Sequence, residues 1–306
     1  MLNVQGFGWS GGSLARDILV ESFDHNLMAC EFGFIGDPDG VLDVVDSIWG
    51  RTSHLRPYSA LKRFKVSSMY WTEVLRRHGY AVENFFSVLV AKGLIEEFPF
   101  SSRLNLSLIA NPLEKNAYKL RKKVRGTPDL AYDITCSKEE FLGLFQDWFD
   151  QLLVQLGSRP LLQKAVPISL TEEVSNLMGG FTGIVVNRSN SDSFVSMSKD
   201  KGLFLNESDY SIESKVKRFS RYKNRMLDNI PWLEKKHGLV STHGKTKILY
   251  LEFESIVHGI EETLSTMEEL LNLKVSSKYP KHLLENSKKN IGIGDSLDPS
   301  ILKILS

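Results

Sequence analysis

A strand, a glycine-rich turn and a helix open this sequence, and that succession restricts its fold more than any other feature. Leu2–Gln5 has the pattern of a short strand, and Gly6–Ser13 contains four glycines. From Ser13 to about Phe23, apolar residues recur at helical spacing. Glycines allow successive backbone N–H groups to point at one anion, and a helix start adds partial positive charge. The pattern therefore predicts an anion-binding turn after the first strand.

Further strands and helices alternate downstream. Strands are predicted over 161–166, 181–187 and 246–251, and helices over 172–178, 214–233 and 254–273. Such alternation is typical of a central parallel sheet with helices on both faces, in the α/β class. Residues from about 58 to 156 are rich in helix formers, and no linker separates them, so we predict one domain over 1–306 with a helical insertion. The basic tail 276–294 is predicted to be a loop.

Charge and cysteine usage exclude several classes of protein. The net charge is only +1, so any anion site must be local, and no nucleic-acid partner is expected. Cys30 and Cys136 are too few for a disulfide framework and lack metal-ligand spacing, so no metal is expected. No run approaches 18 apolar residues, and the first residues lack the pattern of a signal peptide. The sequence predicts a cytosolic protein without a transmembrane segment.

The glycine turn has the frame of a nucleotide-binding P-loop. Gly6 is followed after four residues by Gly11, Gly12 and Ser13, and Gly12 stands where a lysine is normally found. A P-loop kinase or ATPase needs that lysine on the β- and γ-phosphates and a hydroxyl on magnesium. The turn keeps Ser13 but lacks the lysine, which argues against ordinary ATP chemistry. A purely structural turn is the alternative, since tight turns need glycine in any case.

An arginine and a serine form a second constellation. Arg188 follows the β-branched strand Phe181–Asn187, at the end of the strand where open α/β sheets bind ligands. Ser196 comes eight residues later. The forked guanidinium suits a phosphate dianion, whereas a plain salt bridge is the alternative role of Arg188.

In this order, the motifs resemble those of the P-loop sulfotransferases, which use 3′-phosphoadenosine-5′-phosphosulfate. Trp9–Leu14 resembles the loop that binds the 5′-phosphosulfate, and Arg188 with Ser196 resembles the pair that binds the 3′-phosphate. Gln163–Pro167 is similar to a Lys-Thr-Pro segment of carbohydrate sulfotransferases, and Lys247–Ile256 is similar to the late strand with a Tyr-Glu-Asp-Leu signature. The resemblance covers about 1–35 and 160–295.

The resemblance implies a three-layer fold of the P-loop sulfotransferase type, and it implies a set of cofactor-binding residues. It also implies that the basic residues near Asn290 belong to a loop closing on the 3′-phosphate. The implied cofactor-binding residues are Gly8, Trp9, Ser10, Gly11, Gly12, Ser13, Leu14, Arg188, Ser196, Lys288 and Lys289. The sequence departs from the family at Ser189-Asn190, where Asp-Pro is usual, and at Trp9, where the family has a lysine or arginine. Trp9 would stack on the adenine or a sugar, or else pack in the core.

A cation from elsewhere would have to replace the missing loop lysine in catalysis. Arg16, three residues past Ser13 on the predicted helix, is one candidate, and Lys164 is another. The cluster Lys62-Arg63-Lys65 is a third. Arg16 and the cluster could instead be solvated surface residues. The basic face of the helix 214–233 would guide an anionic acceptor or simply be solvated.

The same resemblance places a general base at Glu31, on the segment after the first helix. A carboxylate inside the apolar stretch Leu27–Phe34 needs a reason, which is either catalysis or a structural ion pair. His25 and His54 are alternative bases. The expected reaction transfers a sulfonate to a saccharide or glycolipid precursor of a capsule, lipopolysaccharide or exopolysaccharide. The alternatives are a P-loop kinase or other NTP-dependent transferase, and a non-catalytic nucleotide-binding relative.

Overall fold

The structure is a computed structural model, and it divides the chain into two compact units. It describes residues 1–6, 9–50, 56–99, 130–165, 170–199, 210–228, 230–276 and 281–306. The first unit comprises Met1–Gly33 and Leu153–Ser306, and the second comprises Phe34–Leu152. The predicted single domain with an insertion at about 58–156 stays a prediction.

Eight strands are present in these residues. They are β1 (Leu2–Gly6), β2 (Asn26–Leu27), β3 (Ile95–Pro99), β4 (Leu130–Ile134), β5 (Pro160–Gln163), β6 (Thr182–Asn187), β7 (Leu239–His243) and β8 (Thr246–Glu252). The first unit contains a six-stranded sheet in the order β2-β5-β1-β6-β8-β7. Its neighbouring strands are parallel except for β7, which is antiparallel to β8 at the edge. The sheet is therefore mostly parallel, as the alternating pattern predicted.

Twelve helices are present in the same residues. They are α1 (Gly12–Phe23), α2 (Val41–Trp49), α3 (Arg56–Arg77), α4 (Phe85–Ala91), α5 (Lys138–Val154), α6 (Thr171–Met178), α7 (Asn190–Lys199), α8 (Ile212–Asp228), α9 (Phe253–His258), α10 (Ile260–Leu271), α11 (Lys281–Lys288) and α12 (Pro299–Leu305). No described helix combines the length and the apolar character that crossing a membrane requires.

Both faces of the six-stranded sheet are buried. Ile184 and Val186 of β6 pack in one core together with residues of α1, α9 and α10. Val185, between them, belongs to a second core on the opposite face with Ile230 and Leu233. Because successive side chains of a strand point to opposite faces, the β-branched run of β6 fills both cores at once. This architecture is compatible with a three-layer α/β fold.

The second unit has a core of aromatic rings. Phe34 stacks on Phe64 with ring centroids 5.5 Å apart, and Phe85 meets Phe141 edge to face at 5.7 Å. Offset and edge-to-face pairs of this kind stabilise a core beyond the area that they bury. This unit contains helices as predicted, and it also contains β3 and β4, which pair antiparallel.

Two local predictions are wrong. The helix expected over 254–273 is two helices that meet at Gly259, whose N–H still bonds to the Ser255 carbonyl at 2.8 Å. The tail predicted as a loop contains α11, because Leu284 is buried in the core against the sheet. Within α11 the only apolar residues are the adjacent Leu283 and Leu284, which give no helical repeat from which that helix could be predicted.

Candidate functional site

The carboxyl end of β1 is a topological switch point of the sheet. Leu2 lies opposite Leu161 of β5 on one side and opposite Thr182 of β6 on the other. Ligands of open α/β sheets bind in the crevice where connections leave in opposite directions from neighbouring strands. The glycine turn between Gly6 and Gly12 stands at this crevice.

Two glycines allow the turn to lie close against its neighbours. Gly11 caps α1 in the left-handed region at φ 86°, and a Cβ there would be 2.1 Å from Cδ2 of Phe253. A Cβ on Gly12 would lie 3.2 Å from the backbone nitrogen of Gly6. Any larger residue at Gly11 would therefore have to displace the ring of Phe253. The glycines serve packing as well as the turn.

The first cavity lies beside the turn and has a volume of about 450 Å³. It is lined by the turn itself, by Gln5 at the end of β1, by Lys164 after β5, and by Tyr222 and Met226 of α8. A cavity of this volume is within the usual range for small-molecule sites.

Two buried polar atoms in this cavity lack partners. Ser10 is 1% exposed and Gln5 is 9% exposed, yet Ser10 Oγ and Gln5 Oε1 have no hydrogen-bond partner among the described residues. Leaving a buried polar atom unpaired costs about 1–3 kcal/mol, so such atoms are rare in folded proteins. A bound ligand would supply the missing bonds. Ser10 can donate to an anion, and the Gln5 amide can present either its oxygen or its NH₂ group.

Backbone strain is concentrated at the same cavity. Trp9 and Lys164, which both line it, have φ values of 51° and 54°. This left-handed region costs a residue with a side chain roughly 1–2 kcal/mol. The Lys164 N–H donates to the Val4 carbonyl at 3.0 Å, so pairing with β1 holds this conformation. Strained residues of this kind cluster at functional sites.

A second cavity of about 450 Å³ lies on the other side of the turn. Trp9, Gly11 and Ser13 line both cavities, and the second is also lined by Arg188 and Ser196. Its other polar lining residues are Asp17, Lys199, Asn286, Ser287 and Asn290. The structure therefore brings the two sequence constellations to one place.

The guanidinium of Arg188 is held on several sides. Its Nη1 donates to Ser196 Oγ at 2.8 Å, and its Nη2 donates to the carbonyl of Asn290. Asp192 lies 3.7 Å away as an ion-pair partner, and the guanidinium stacks over the ring of Phe253 at 5.0 Å. These contacts fix the direction of the guanidinium toward the cavity.

Arg188 nevertheless has unused capacity for an anion. The residue is 5% exposed, and its Nε has no partner within the described part of the chain. Burial lowers the pKa of Arg188, while Asp192 and Glu254 raise it. An arginine remains charged at neutral pH in any case. A desolvated cation with a free N–H is suited to a phosphate dianion.

The predicted catalytic pair Lys164 and Glu31 is an ion pair. Lys164 Nζ lies 2.7 Å from Glu31 Oε1, and the two side chains are 53% and 58% exposed. The expectation that Glu31 is enclosed by the apolar stretch Leu27–Phe34 is wrong, because β2 ends at Leu27 and Glu31 is exposed. The exposure means that the pair contributes little to stability and can open at low cost.

Arg16 lines neither cavity. Its Nη1 donates to Gln163 Oε1 at 2.9 Å and its Nε donates to Asp17 Oδ1 at 2.6 Å. Gln163 borders the first cavity and Asp17 borders the second. Arg16 therefore links a residue of one cavity wall to a residue of the other. Because both bonds use its guanidinium, the alternative of a solvated surface arginine does not describe it.

The third cation candidate belongs to the second unit. Arg63 Nε lies 2.5 Å from Asp39 Oδ1, and Lys65 Nζ donates to the Tyr132 hydroxyl at 2.8 Å. The chemistry of the two cavities can be described without this cluster.

The remaining predicted site residues differ in where they lie. Leu14 lines the second cavity, whereas Lys288 and Lys289 are exposed and do not appear in its described lining. His25 bonds to the Arg159 carbonyl at 3.1 Å through Nδ1, and burial lowers its pKa. Gly8 and His54 lie outside the described residues.

Sequence reasoning missed two residues of the site. Gln5 was treated only as part of a strand, although it is the last side chain of β1 before Gly6 and lines the first cavity. Lys223 was grouped with a basic helix face, yet it is 1% exposed. Its spacing of four and seven residues from Phe219 and Val216 indicated the buried face of α8.

A scan against known protein families finds no match to this chain, and a search of curated proteins finds none either. In the ranges that the structure describes, no three His, Cys, Asp or Glu side chains are grouped as metal ligands.

Proposed function

We propose that this chain is a sulfotransferase that moves a sulfonate from 3′-phosphoadenosine-5′-phosphosulfate to a saccharide hydroxyl. The proposed fold is of the P-loop sulfotransferase type. The observation that carries the proposal is the turn Trp9–Ser13, which borders two cavities at once. The start of α1 lines both cavities, the first of which also has Lys164 and the second Arg188 and Ser196. A nucleotide with anionic groups at both its 5′ and 3′ ends needs two such sites on either side of one loop.

The unpaired atoms support the fit of this donor. Ser10 lines the first cavity and Arg188 the second, and both have a buried donor without a partner among the described residues. A small shift of either side chain would turn Ser10 Oγ toward a phosphosulfate oxygen and Arg188 Nε toward a 3′-phosphate oxygen. Gly11 and Gly12 let the turn pack against Phe253 and Gly6, which holds it at the border of both cavities. The donor supplies an activated sulfonate whose bond to the 5′-phosphate breaks during transfer.

The residues of the chain would bind, orient and exchange one proton. Lys164 would balance the negative charge that develops on the leaving phosphate, in place of the loop lysine. Glu31 would accept the proton of the acceptor hydroxyl as its oxygen bonds to sulfur. Lys164 lines the first cavity and contacts Glu31, which itself is not a lining residue, so the base would act from the rim next to the cation.

The saccharide acceptor is the part of the proposal that rests on resemblance. The segment around Lys164 and the position of Glu31 resemble carbohydrate sulfotransferases. Tyr222 and Met226 give the first cavity an apolar wall on which a sugar ring could pack. A cytosolic precursor of a surface polysaccharide or glycolipid is the acceptor class that we propose.

Ligand-induced thermal stabilisation tests the donor site. The protein is titrated with adenosine 3′,5′-bisphosphate, ATP, ADP and 5′-AMP, and the melting temperature is recorded. A ligand at 100 times its Kd stabilises the folded state by about 2.7 kcal/mol, so selective binding is readily detected. We expect the bisphosphate to stabilise far more than 5′-AMP. Equal shifts for the two would contradict the proposal.

Arg188→Ala locates the 3′-phosphate. The variant should lose roughly 10- to 100-fold in affinity for the bisphosphate, the value of one or two charge-assisted hydrogen bonds, with little change for 5′-AMP. Arg225→Ala, an exposed arginine of α8, is the matched control. Equal losses for both nucleotides would place Arg188 outside the site.

Two assays separate the competing functions. Transfer of labelled sulfonate to a saccharide panel identifies the enzyme, and binding of the bisphosphate without transfer to any acceptor favours a non-catalytic relative. Turnover of labelled ATP with magnesium would favour a kinase.

A further inference from the structure

Lys223 has an unusual environment for a lysine. At 1% exposed, it is the least exposed charged residue of the part of the chain that the structure describes. Burying an ammonium group is costly unless its donors are used. Its Nζ donates to the backbone carbonyl of Arg188 and to Ser193 Oγ at 3.3 Å. Both acceptors are neutral oxygens, so the positive charge of Lys223 is not cancelled by direct contact.

A carboxylate holds the other side of the same peptide group. The N–H of Ser189 donates to Glu254 Oε1 at 3.0 Å. The carbonyl of Arg188 and the N–H of Ser189 belong to one planar peptide unit. Lys223 of α8 therefore binds its oxygen while Glu254 of α9 binds its hydrogen. The positive Lys223 bonds to the negative carbonyl end of the peptide dipole, and the negative Glu254 bonds to the positive N–H end. The two side chains therefore clamp this unit in one orientation.

The clamped unit is the one that carries Arg188. A displacement of this peptide would move the Cα of Arg188 and, with it, the guanidinium relative to Ser196 and the second cavity. Two charged hydrogen bonds on one peptide resist that displacement. The arrangement is therefore suited to positioning Arg188 for an anion.

We propose that Lys223 is a positioning residue for the Arg188–Ser196 site, and that its proton makes binding of a phosphate dianion dependent on pH. The proposal rests on the proposed function, in which that dianion is the 3′-phosphate of the nucleotide. The Lys223–Glu254 pair holds the peptide, and the charge of Lys223 adds to the positive potential around Arg188.

The charged groups around Lys223 define the direction of the pH effect. Burial lowers the pKa of Lys223 to about 8, with a further lowering from Arg188 and an opposing contribution from Glu254. Asp192 of α7, the buried carboxylate of this cluster, pairs with Arg188, whereas Glu254 is half-buried. A bound dianion would favour the protonated form of Lys223. By linkage, affinity for the dianion must fall as pH rises through the pKa of the free protein.

Isothermal titration of the full chain tests the proposal. Kd values for adenosine 3′,5′-bisphosphate and 5′-AMP are measured between about pH 7 and about pH 9.5, where the phosphates no longer titrate because their second pKa is near 6. We expect the affinity of the wild type for the bisphosphate to fall roughly tenfold across this range, the effect of about one pKa unit of coupling. The affinity for 5′-AMP should change less.

Lys223→Met should weaken binding of the bisphosphate and abolish the pH dependence of that binding. At about pH 7 it should bind the bisphosphate at least roughly tenfold more weakly, the value of one charged hydrogen bond, with a flat pH profile. Lys217→Met, an exposed lysine of α8, is the matched control. A Lys223→Met variant with the bisphosphate preference and pH profile of the wild type would overturn the proposal.

The pH dependence of the free energy of unfolding gives a second readout. A lysine with a purely structural role would change this free energy with pH but would leave nucleotide affinity unchanged. The ordinary pKa of lysine is 10.5, so between about 8 and 10.5 the unfolded chain binds more protons than the folded one at Lys223. The contribution of this residue to the free energy of unfolding therefore rises with pH, whereas nucleotide affinity falls. If Lys223→Met does not fold, Lys223→Gln and the wild-type pH profile decide, and a flat wild-type profile overturns the proposal.

Failure of the two proposals can be told apart. If the wild type shows no preference for the bisphosphate over 5′-AMP, the proposed function and this inference both fall. If the wild type shows that preference but Lys223→Met keeps it, only the role of Lys223 is overturned.

Discussion

Single residues determine most of the chemistry that the two cavities can perform. Trp9 occupies the position at which a loop cation was expected, so the nearest cation of the first cavity is Lys164. Lys164 is held by its own strained backbone at φ 54° and by Glu31. The cation is thus supplied from the end of β5, not from the turn after β1.

At this scale, Glu31→Gln tests whether the carboxylate acts as a base. Loss of a general base typically lowers turnover by about 10²- to 10⁴-fold, and the affinity for adenosine 3′,5′-bisphosphate should be unchanged. The measurement is kcat for sulfonate transfer together with the Kd of the bisphosphate. Glu261→Gln, on the exposed face of α10, is the control. Unchanged turnover would exclude Glu31 as the base.

A double-mutant cycle separates catalysis from positioning. If Glu31 only holds Lys164, adding Glu31→Gln to Lys164→Met causes no further loss of turnover. If Glu31 accepts the proton, the two losses multiply.

Among the elements, the start of α1 is the one on which both cavities depend. Gly11 caps this helix and touches the Phe253 ring, which in turn lies under the Arg188 guanidinium. A change at the cap would therefore reach the second cavity through one aromatic ring.

Gly11→Ala should destabilise the protein more than Gly179→Ala. Both glycines have positive φ, 86° and 66°, so both variants include a strain of roughly 1–2 kcal/mol. Only at Gly11 does the added Cβ also meet Phe253, at 2.1 Å, whereas nothing lies within 4 Å at Gly179. Overpacking of this kind costs about 1–3 kcal/mol more. Urea denaturation measures the difference, and equal losses would show that the ring yields freely.

The sequence predicted structure best where one element is a run of similar residues, as in the β-branched strand β6. The β-branched run Phe181–Asn187 predicted a strand buried on both faces, which the structure confirms as β6, and Arg188 follows its end. The structure also shows that Ser196 lies on α7, where its hydroxyl accepts a hydrogen bond from Arg188. By contrast, β2 is only two residues long, so nothing in the apolar segment after α1 required Glu31 to be buried.

The partners of a buried side chain were beyond sequence reasoning. Lys223 donates to the backbone carbonyl of Arg188, 35 residues away. Every residue has a backbone carbonyl, so the amino-acid sequence does not indicate this partner. Gln5 likewise could not be separated from an ordinary strand residue until the lining of the cavity was known.

At the scale of the whole molecule, net charge contributes little and local burial contributes much. With a formal charge of +1, the protein has no strong overall field, so affinity for the proposed nucleotide would have to come from individual cations. Stability, in turn, responds to pH through a few buried groups.

We expect the protein to lose stability as the pH falls from about 7 to about 5. Burial lowers the pKa of His25 and of His237 below the ordinary 6.5, so the unfolded chain binds more protons in this window. Protonated His25 would bury a charge at the unpartnered Nε2, and protonated His237 Nδ1 could not accept the Glu252 N–H at 3.0 Å. The loss should be on the order of 1 kcal/mol. Denaturation of His25→Gln/His237→Gln should show a shallower slope; an identical slope would contradict this explanation.

The central place of β1 has a consequence for how the protein is made. Leu2 is synthesised before both of its neighbours in the sheet, Leu161 and Thr182, which follow about 160 and 180 residues later. At ~5–20 residues per second, the nascent strand waits roughly 8 to 30 seconds for a partner. During that interval its edges are unpaired and open to a chaperone, and the centre of the sheet closes only after β6 has been synthesised.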